Sequence, residues 1–540
     1  MAPVREGTDR AETGGGRAAT AALIAIIAVG VFARFLDLGG KSFWLDELFM
    51  VQTVGDGLPG AAQIALQTGH MPPFRLLEWG ITQVADREWW VRLPSAIAGA
   101  LAIPAAYVLT RDLWCRRGGL FAALLTALSS FDVWYSQDAT AYSLLILLAF
   151  LQMWSAVRAV TRGRPFDWRL LAFIVAANLY TDYLALPLTA GTLAYVAIGL
   201  WRRRRSGAKV DGQVPRAVVA LEQVTIIYLP WLPIVYILFS SSNHLFPSAA
   251  TLSGVGLALV EGLGLAGVIG ILALIGLAVA LRSARARPDL PLLLLLHIAA
   301  VLGLIAVTHS WWNLNARYLY VAFPMAVLLG GVGADAVVLW VAVRLSQPLP
   351  RIPAAPIAAS CLVLLVVASM GWSLTAWEGT PKEMYRQAYA GVIASSPPDS
   401  VVLVEGNSAD WAILAGRYYA HRAGVQLRFT SAGDAASIAP AFADQRIRVW
   451  AVVLTGEDPY GVRRLNYTIA PTVPLIAPPS GGRGIVLHRW LGITIAEAPS
   501  AGDPVHQAEL LLRWGVQFDP ALACVADRLE ATGPAVPPRC

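Results

Sequence analysis

Asp46 and Glu47 stand side by side in the stretch Lys41-Ser42-Phe43-Trp44-Leu45-Asp46-Glu47-Leu48-Phe49-Met50, a few residues beyond the first apolar run, Ala21 to Phe35. Carboxylates flanked by Phe43, Trp44, Leu48, Phe49 and Met50 next to a bilayer are costly to bury unless they have a task. Asp46 therefore reads as the base of a membrane enzyme. The plainer option is an interfacial helix whose acids face water while its aromatics anchor among headgroups.

Two further stretches carry chemistry. In Thr68-Gly69-His70-Met71-Pro72-Pro73-Phe74 the proline pair can open a helix, where the missing amide hydrogens are not needed. The first-turn N–H groups would then face an anion, with His70 as an added donor, unless the prolines only turn the chain. In Phe131-Asp132-Val133-Trp134-Tyr135-Ser136-Gln137-Asp138-Ala139-Thr140-Ala141-Tyr142, Asp138 has no nearby Lys or Arg in sequence. It either meets a partner from elsewhere or caps the helix starting near Tyr142. The chain lacks G-x-x-x-x-G-K-[ST], H-E-x-x-H, G-x-S-x-G and paired C-x-x-C motifs, so nothing marks ATP as an energy source.

The elements that must position these residues are membrane helices. The chain has 540 residues, 56% hydrophobic and 14% charged, and its mean hydropathy is +0.58, outside the ordinary soluble range. Apolar runs of about 20 residues can each span a bilayer. They fall at Ala21–Phe35, Val91–Leu113, Gly118–Ser130 continuing towards Tyr135, Tyr142–Val160, Leu170–Tyr180, Leu184–Trp201, Val218–Phe239, Val255–Leu281, Leu290–Thr308, Tyr318–Val343 and Ile357–Leu374. That is about eleven spans, and Arg clusters fill every second gap, among them Arg202 to Arg205. The net charge of +6 is thus a topology signal and not a sign of nucleic acid.

By the positive-inside bias, residues 1–19 are a short cytoplasmic tail, disordered up to about Thr20 and without a convincing signal-peptide cleavage site. Residues 20–377 form the membrane domain, with a long outer loop at 37–90, and residues 378–540 lie outside the cytoplasm. On this topology Asp46, Glu47, His70, Arg75, Asp138, Asp182, His309 and Arg317 all come from outer loops and span ends, so they could converge on one site. Arg317, in Trp311-Trp312-Asn313-Leu314-Asn315-Ala316-Arg317-Tyr318-Leu319-Tyr320, runs against the charge bias. A guanidinium there suits a bound phosphate, and snorkelling to headgroups is the bland alternative.

From Gly379 onward the apolar runs shorten. Val401 to Val404 and Val449 to Leu454 read as buried strands, and Ala409 to His421, Ala508 to Trp514 and Ala521 to Leu529 as helices, giving a soluble α/β domain. Outside the cytoplasm Cys524 and Cys540 could form a disulfide, with two free thiols as the alternative.

Taken in order, these features resemble the GT-C glycosyltransferases, in particular the family 39 group of protein O-mannosyltransferases and the lipid A aminoarabinose transferase. The likeness rests on five features: the acidic pair after the first span, the His-x-Pro-Pro element, the Tyr-Ser-Gln-acid…Tyr motif, the Arg-Tyr opening a late span, and the outer C-terminal domain. It covers about the first 420 residues, ending near Tyr418-Tyr419. The resemblance implies an inverting transfer from a polyprenyl-phosphate sugar to a lipid, glycan or protein acceptor outside the cytoplasm, at the cell membrane. It makes Asp46 the general base, Glu47 an orienting group and Asp138 the second carboxylate, with His70, Arg317 and Tyr318 at the lipid phosphate. Arg75, Tyr142, Asp182 and His309 would be further substrate contacts.

Relatives often carry Arg where Thr140 stands and His where Asp182 stands, so contacts to donor sugar or acceptor differ here. Paired carboxylates admit a divalent metal, but no dense set of oxygen ligands demands one. The residues name neither sugar, acceptor nor oligomeric state. A rival reading is a transporter or flippase of a lipid-linked sugar, which would call for charges deep within spans and internal repeats. Glu261 is one such acid, and no clear repeat is visible. A sensor with an outer ligand-binding domain would need a cytoplasmic output domain, and none is evident.

Overall fold

The computed structural model describes residues 12–55, 72–236 apart from 209, 211 and 235, 267–308, 320–348, 352–405 apart from 379–381 and 383, 409–434 apart from 433, 446–454, 485–490, 493–498, 503–515 and 522–532. In chain order the helices of the first part are α1 (Glu12–Phe35), α2 (Leu45–Gly55), α3 (Pro72–Thr82), α4 (Glu88–Val91), α5 (Leu93–Leu113), α6 (Arg116–Leu128), α7 (Ser130–Ser136) and α8 (Tyr142–Arg162). They continue as α9 (Pro165–Leu179), α10 (Ala185–Arg205), α11 (Gln213–Tyr228), α12 (Val268–Arg282), α13 (Asp289–Thr308), α14 (Phe323–Ser346) and α15 (Ala354–Glu378). Then follow α16 (Tyr385–Ser395), β1 (Ser400–Glu405), α17 (Ala409–Arg422), β2 (Leu427–Ser431), β3 (Val449–Leu454), β4 (Val486–Trp490), β5 (Ile493–Glu497), α18 (Pro504–Gly515) and α19 (Leu522–Thr532).

The chain divides into two compact units: Met1–Leu38, Gly57–Ala85 and Trp90–Gly379 in one, Gly39–Asp56, Asp86–Trp89 and Thr380–Cys540 in the other. In the helical unit, the described part of each apolar run read from the sequence is mostly helical. Six of the described helices are long and apolar enough to cross a bilayer, and α6 with α7 makes a seventh if the pair is one span. That pair is bent by 59°. The break falls at Ser129, whose hydroxyl accepts the Asp132 N–H at 3.3 Å and so starts α7 afresh. The polar lead-in before the first run is helical from Glu12, a stretch read from sequence as disordered tail.

Close packing in the helical unit uses glycine. At the α12–α14 crossing a Cβ on Gly276 would lie 1.9 Å from the Leu329 carbonyl oxygen, and one on Gly333 1.9 Å from that of Leu272, so only glycine lets these backbones touch. Elsewhere polar side chains join four helices. Asn178 of α9 donates to Gln152 of α8 (2.9 Å), Gln152 donates to Thr192 of α10 (3.0 Å), and Thr192 meets His297 of α13 (3.1 Å). All four are fully buried, where each would be costly without its neighbour.

The second unit holds a five-stranded sheet of order β2-β1-β3-β5-β4. β1 runs parallel to β2 and β3, and β5 is antiparallel to β3 and β4. Val401 and Leu403 of β1 with Val449, Ala451 and Val453 of β3 pack against Leu511, Leu512 and Trp514 of α18 and Leu522 and Val525 of α19. Val402 and Val404, pointing the other way, are equally buried. Burial on both faces explains the uninterrupted apolar quartet, Val401 to Val404, that betrays a central strand.

Candidate active site

In the second unit, Asp46 and Glu47 occupy the first turn of α2. Trp44 precedes the helix, and its N–H donates to Glu47 Oε2 at 3.2 Å, the return arm of a capping box. The same oxygen lies 3.6 Å from Lys382 Nζ, and both side chains are buried. Glu47 is thus occupied in holding the turn, while Asp46 beside it is only half-buried. Of the two neighbours, Glu47 is the one that fixes the backbone carrying both.

That backbone is itself clamped. Glu88 is buried and receives two guanidinium groups, Arg386 at 3.1 Å and Arg422 at 2.7 Å. Arg386 donates further to the carbonyls of Gly39 and Gly40, and its own N–H goes to Ser42 Oγ at 3.1 Å. The Tyr419 hydroxyl accepts the Phe43 N–H at 3.1 Å and pairs with Ser42 Oγ at 3.1 Å. Burial, with the Glu88 charge adding to it, pushes that phenol above its ordinary range, so it stays protonated. We expect Glu88→Gln to loosen residues 39–55 by about 1–2 kcal/mol, since a neutral amide keeps one bond and loses the charge. Hydrogen exchange of amides 39–55 should quicken about tenfold; unchanged exchange would show that the clamp does not hold this segment.

In the helical unit, α3 begins at Pro72, so the proline pair opens a helix. Its polarity is inverted: Arg75 and Glu78 are buried, whereas Leu76 and Leu77 are 43% and 45% exposed. An apolar outer face with charges turned inward suits a helix lying against lipid. Burial pushes Arg75 down to about 10, which leaves it charged at neutral pH.

Asp138 is fully buried just past α7. The N-cap position of α8 is Ala141, whose side chain cannot cap. The Asp138 segment is anchored by Ser95, whose hydroxyl donates to the Thr140 carbonyl at 2.9 Å, and by Gln137, which donates to the carbonyls of Ala33 and Leu36. Tyr142 packs edge-on against Tyr135, which stacks on Tyr320. Asp182 accepts the Leu184 N–H at 2.9 Å, a turn contact leading into α10. Deeper in the unit, buried Asp132 takes an ion pair from Arg34 and the hydroxyl of Tyr320.

His70, Glu261, His309, Arg317, Tyr318 and Cys540 lie outside the described residues. Cys524 is on α19, and the thiols of Cys115 and Cys361 are free. Among the described residues no group of three or more His, Cys, Asp or Glu side chains is placed to hold a metal ion. Sequence reasoning passed over Arg34, Glu78, Glu88, Asp132, Lys382, Arg386 and Arg422, and gave Tyr419 no role at the site. Asp132 had a usable signal, an acid inside an aromatic, apolar run. Arg34 did not, because one Arg at the end of a span looks like any snorkelling residue.

Residues 70–231 match a family model described as dolichyl-phosphate-mannose-protein mannosyltransferase. Among solved structures, ArnT from Cupriavidus metallidurans in the apo state superposes with a TM-score of 0.53 at 14% identity, covering 90% of this chain and 99% of that one. The chain has the GT-C fold. The same ArnT bound to undecaprenyl phosphate gives a TM-score of 0.47 at 14% identity, covering 88% of this chain and 97% of that one. The Archaeoglobus fulgidus oligosaccharyltransferase gives 0.49 at 11% identity, covering 81% and 69%. Comparison with curated protein sequences finds no match. The family match runs through the stretch of the GT-C helical unit that holds Arg75, Asp138, Tyr142 and Asp182.

Proposed function

We propose that this protein is a membrane glycosyltransferase that moves a sugar from a polyprenyl-phosphate donor to an extracytoplasmic lipid, glycan or protein acceptor, with inversion. The observation that carries this reading is the match of residues 70–231 to a family whose description names a dolichyl-phosphate sugar donor. The GT-C fold agrees with it. The alternating basic clusters orient the chain with its N-terminus in the cytoplasm and its C-terminal domain outside, the side from which a lipid-linked donor would be used. In this arrangement a Cys524–Cys540 disulfide would form in an oxidising compartment.

Asp46 takes the proton of the acceptor hydroxyl as that oxygen attacks the anomeric carbon. The bond from the anomeric carbon to the phosphate oxygen breaks on the opposite face, and the polyprenyl phosphate departs with the electron pair. A phosphate monoester carries that charge well, so cations can replace an acid: His70 and Arg317, with the Tyr318 hydroxyl, are the assigned contacts. Asp138 serves as the second carboxylate, and Arg75, Tyr142, Asp182 and His309 as further substrate contacts. Glu47 acts on the acceptor indirectly, by holding Asp46.

Incubating the lipid-reconstituted protein with radiolabelled polyprenyl-phosphate sugars should give a labelled product whose analysis names sugar and acceptor. Movement of intact donor across the bilayer without a labelled product would make the protein a carrier and end the proposal. Arg317→Ala should raise the donor KM about tenfold or more and leave the acceptor KM near its starting value, since one charge-assisted contact to the phosphate is removed. A change confined to the acceptor KM would take Arg317 away from the phosphate.

A further inference from the structure

The helical unit has a second feature, at the end away from Asp138. Ser95, bonded beside Asp138, and Asp112 lie on one helix, α5, so about 26 Å separates them along its axis, close to the thickness of a bilayer core. At the Asp112 end a cavity of about 430 Å³ opens between the C-termini of α5 and α8 and the turn joining α12 to α13. Arg158, Arg162 and Arg287 line it, and its floor includes Leu113, Val157 and Leu290, all buried.

The charges there are unevenly used. Arg158 is paired with Asp167 at 2.8 Å and lies over the Trp154 ring. Asp112, on the cavity wall, is paired with Arg111 at 2.7 Å and accepts the Trp154 indole N–H at 2.9 Å. Asp289, also on the wall, sits in the first turn of α13. Arg162 and Arg287 have no carboxylate partner among the described residues. Arg287 is nonetheless held in place, donating to the Trp114 carbonyl and stacked over the Trp114 ring at 4.3 Å. Helix C-termini favour cations, which accounts for basic residues at this end. It does not account for a cavity with guanidinium groups at its rim and an apolar floor, the shape of a site for an amphiphile.

We propose that this cavity binds a phosphate ester carried on a lipid, with the phosphate held by Arg162 and Arg287 and the first part of an acyl chain against Leu113, Val157 and Leu290. The site is separate from the transfer chemistry and faces the opposite leaflet. A guanidinium pair gives directional bonds to phosphate oxygens, and the aromatic rings of Trp114 and Trp154 stand where indoles settle at a membrane interface.

Native mass spectrometry of the full-length protein in detergent, titrated with phosphatidylglycerol, phosphatidylcholine or inorganic phosphate, tests this. One phosphatidylglycerol should be retained about tenfold more strongly than phosphatidylcholine, and millimolar inorganic phosphate should not displace it. Arg162→Gln combined with Arg287→Gln should weaken retention about tenfold. Arg162→Gln alone, which removes no internal contact, should weaken it in part. Arg282→Gln, at the same end but off the cavity wall, should leave it unchanged. Equal retention of the two lipids, no effect of the Arg162 and Arg287 changes, or an equal effect of Arg282→Gln would overturn the site. Full displacement by inorganic phosphate would keep the phosphate contact and overturn the lipid.

Discussion

Asp46→Asn should leave a folded, membrane-inserted protein whose transfer rate is lower by about a thousandfold or more. A positioned general base contributes roughly 10²–10⁴ in rate, and the amide that replaces it cannot accept the proton of an attacking hydroxyl. The substitution is close to isosteric, and it leaves in place the contacts made through Glu47: Trp44 N–H donates to Glu47, and Lys382 approaches Glu47. Loss of rate without loss of fold is therefore the expected signature. Glu47→Gln is the contrasting change, since the amide oxygen can still accept from Trp44 but the charge facing Lys382 is gone. It should cost stability near α2 and reduce turnover far less than Asp46→Asn. Turnover of a labelled polyprenyl-phosphate sugar by reconstituted protein, with hydrogen exchange of α2 alongside, separates the two. Near-normal turnover of Asp46→Asn would remove Asp46 from the mechanism.

The contrast also marks where reading the chain as a string succeeds. Helices in a membrane protein satisfy their backbone within one segment, so apolar runs such as Val91–Leu113 and Tyr142–Val160 could be placed on helices from composition alone. β1 and β3 were legible because burial on both faces gives an unbroken apolar run. β2, written Leu427-Arg428-Phe429-Thr430-Ser431, lies at one edge of the sheet and keeps no residue fully buried, so it left no such trace. The acidic pair at 46 and 47 was visible, but the division of labour within it was not, because Lys382 lies in another part of the chain. The same holds for Glu88, whose partners Arg386 and Arg422 are 298 and 334 residues away. Pairs at such separations leave no local pattern to read.

Asp132→Ala is the substitution expected to cost most in stability, about 3–5 kcal/mol, because it leaves the Arg34 guanidinium buried without its counter-charge. Arg34 is held on several sides: it donates to the carbonyls of Gly30 (2.9 Å), Thr126 (3.0 Å) and Ala127 (3.2 Å), and these bonds survive the change. What is lost is the only carboxylate paired with it among the described residues, together with the acceptor for the Tyr320 hydroxyl. The pocket has no slack into which Arg34 could retreat, since even a Cβ at Gly99 would lie 3.0 Å from its Nε and 2.0 Å from Ser136 Oγ. Removing both charges, as in Arg34→Met with Asp132→Leu, should therefore recover at least about 2 kcal/mol relative to Asp132→Ala. Unfolding of the native protein, Asp132→Ala and the double variant in one detergent measures this; a double variant no more stable than Asp132→Ala would mean that removing the second charge relieves nothing. The same pair ties α1 to α6 and α7, and α7 leads directly into Asp138. The double variant, stable but with α7 no longer fixed by the Arg34–Asp132 pair, should then turn over more slowly than the native protein. Slow turnover in a protein that has regained its stability would identify the buried pair as a positioning device for the Asp138 segment, whereas native turnover would leave it a structural fastening only.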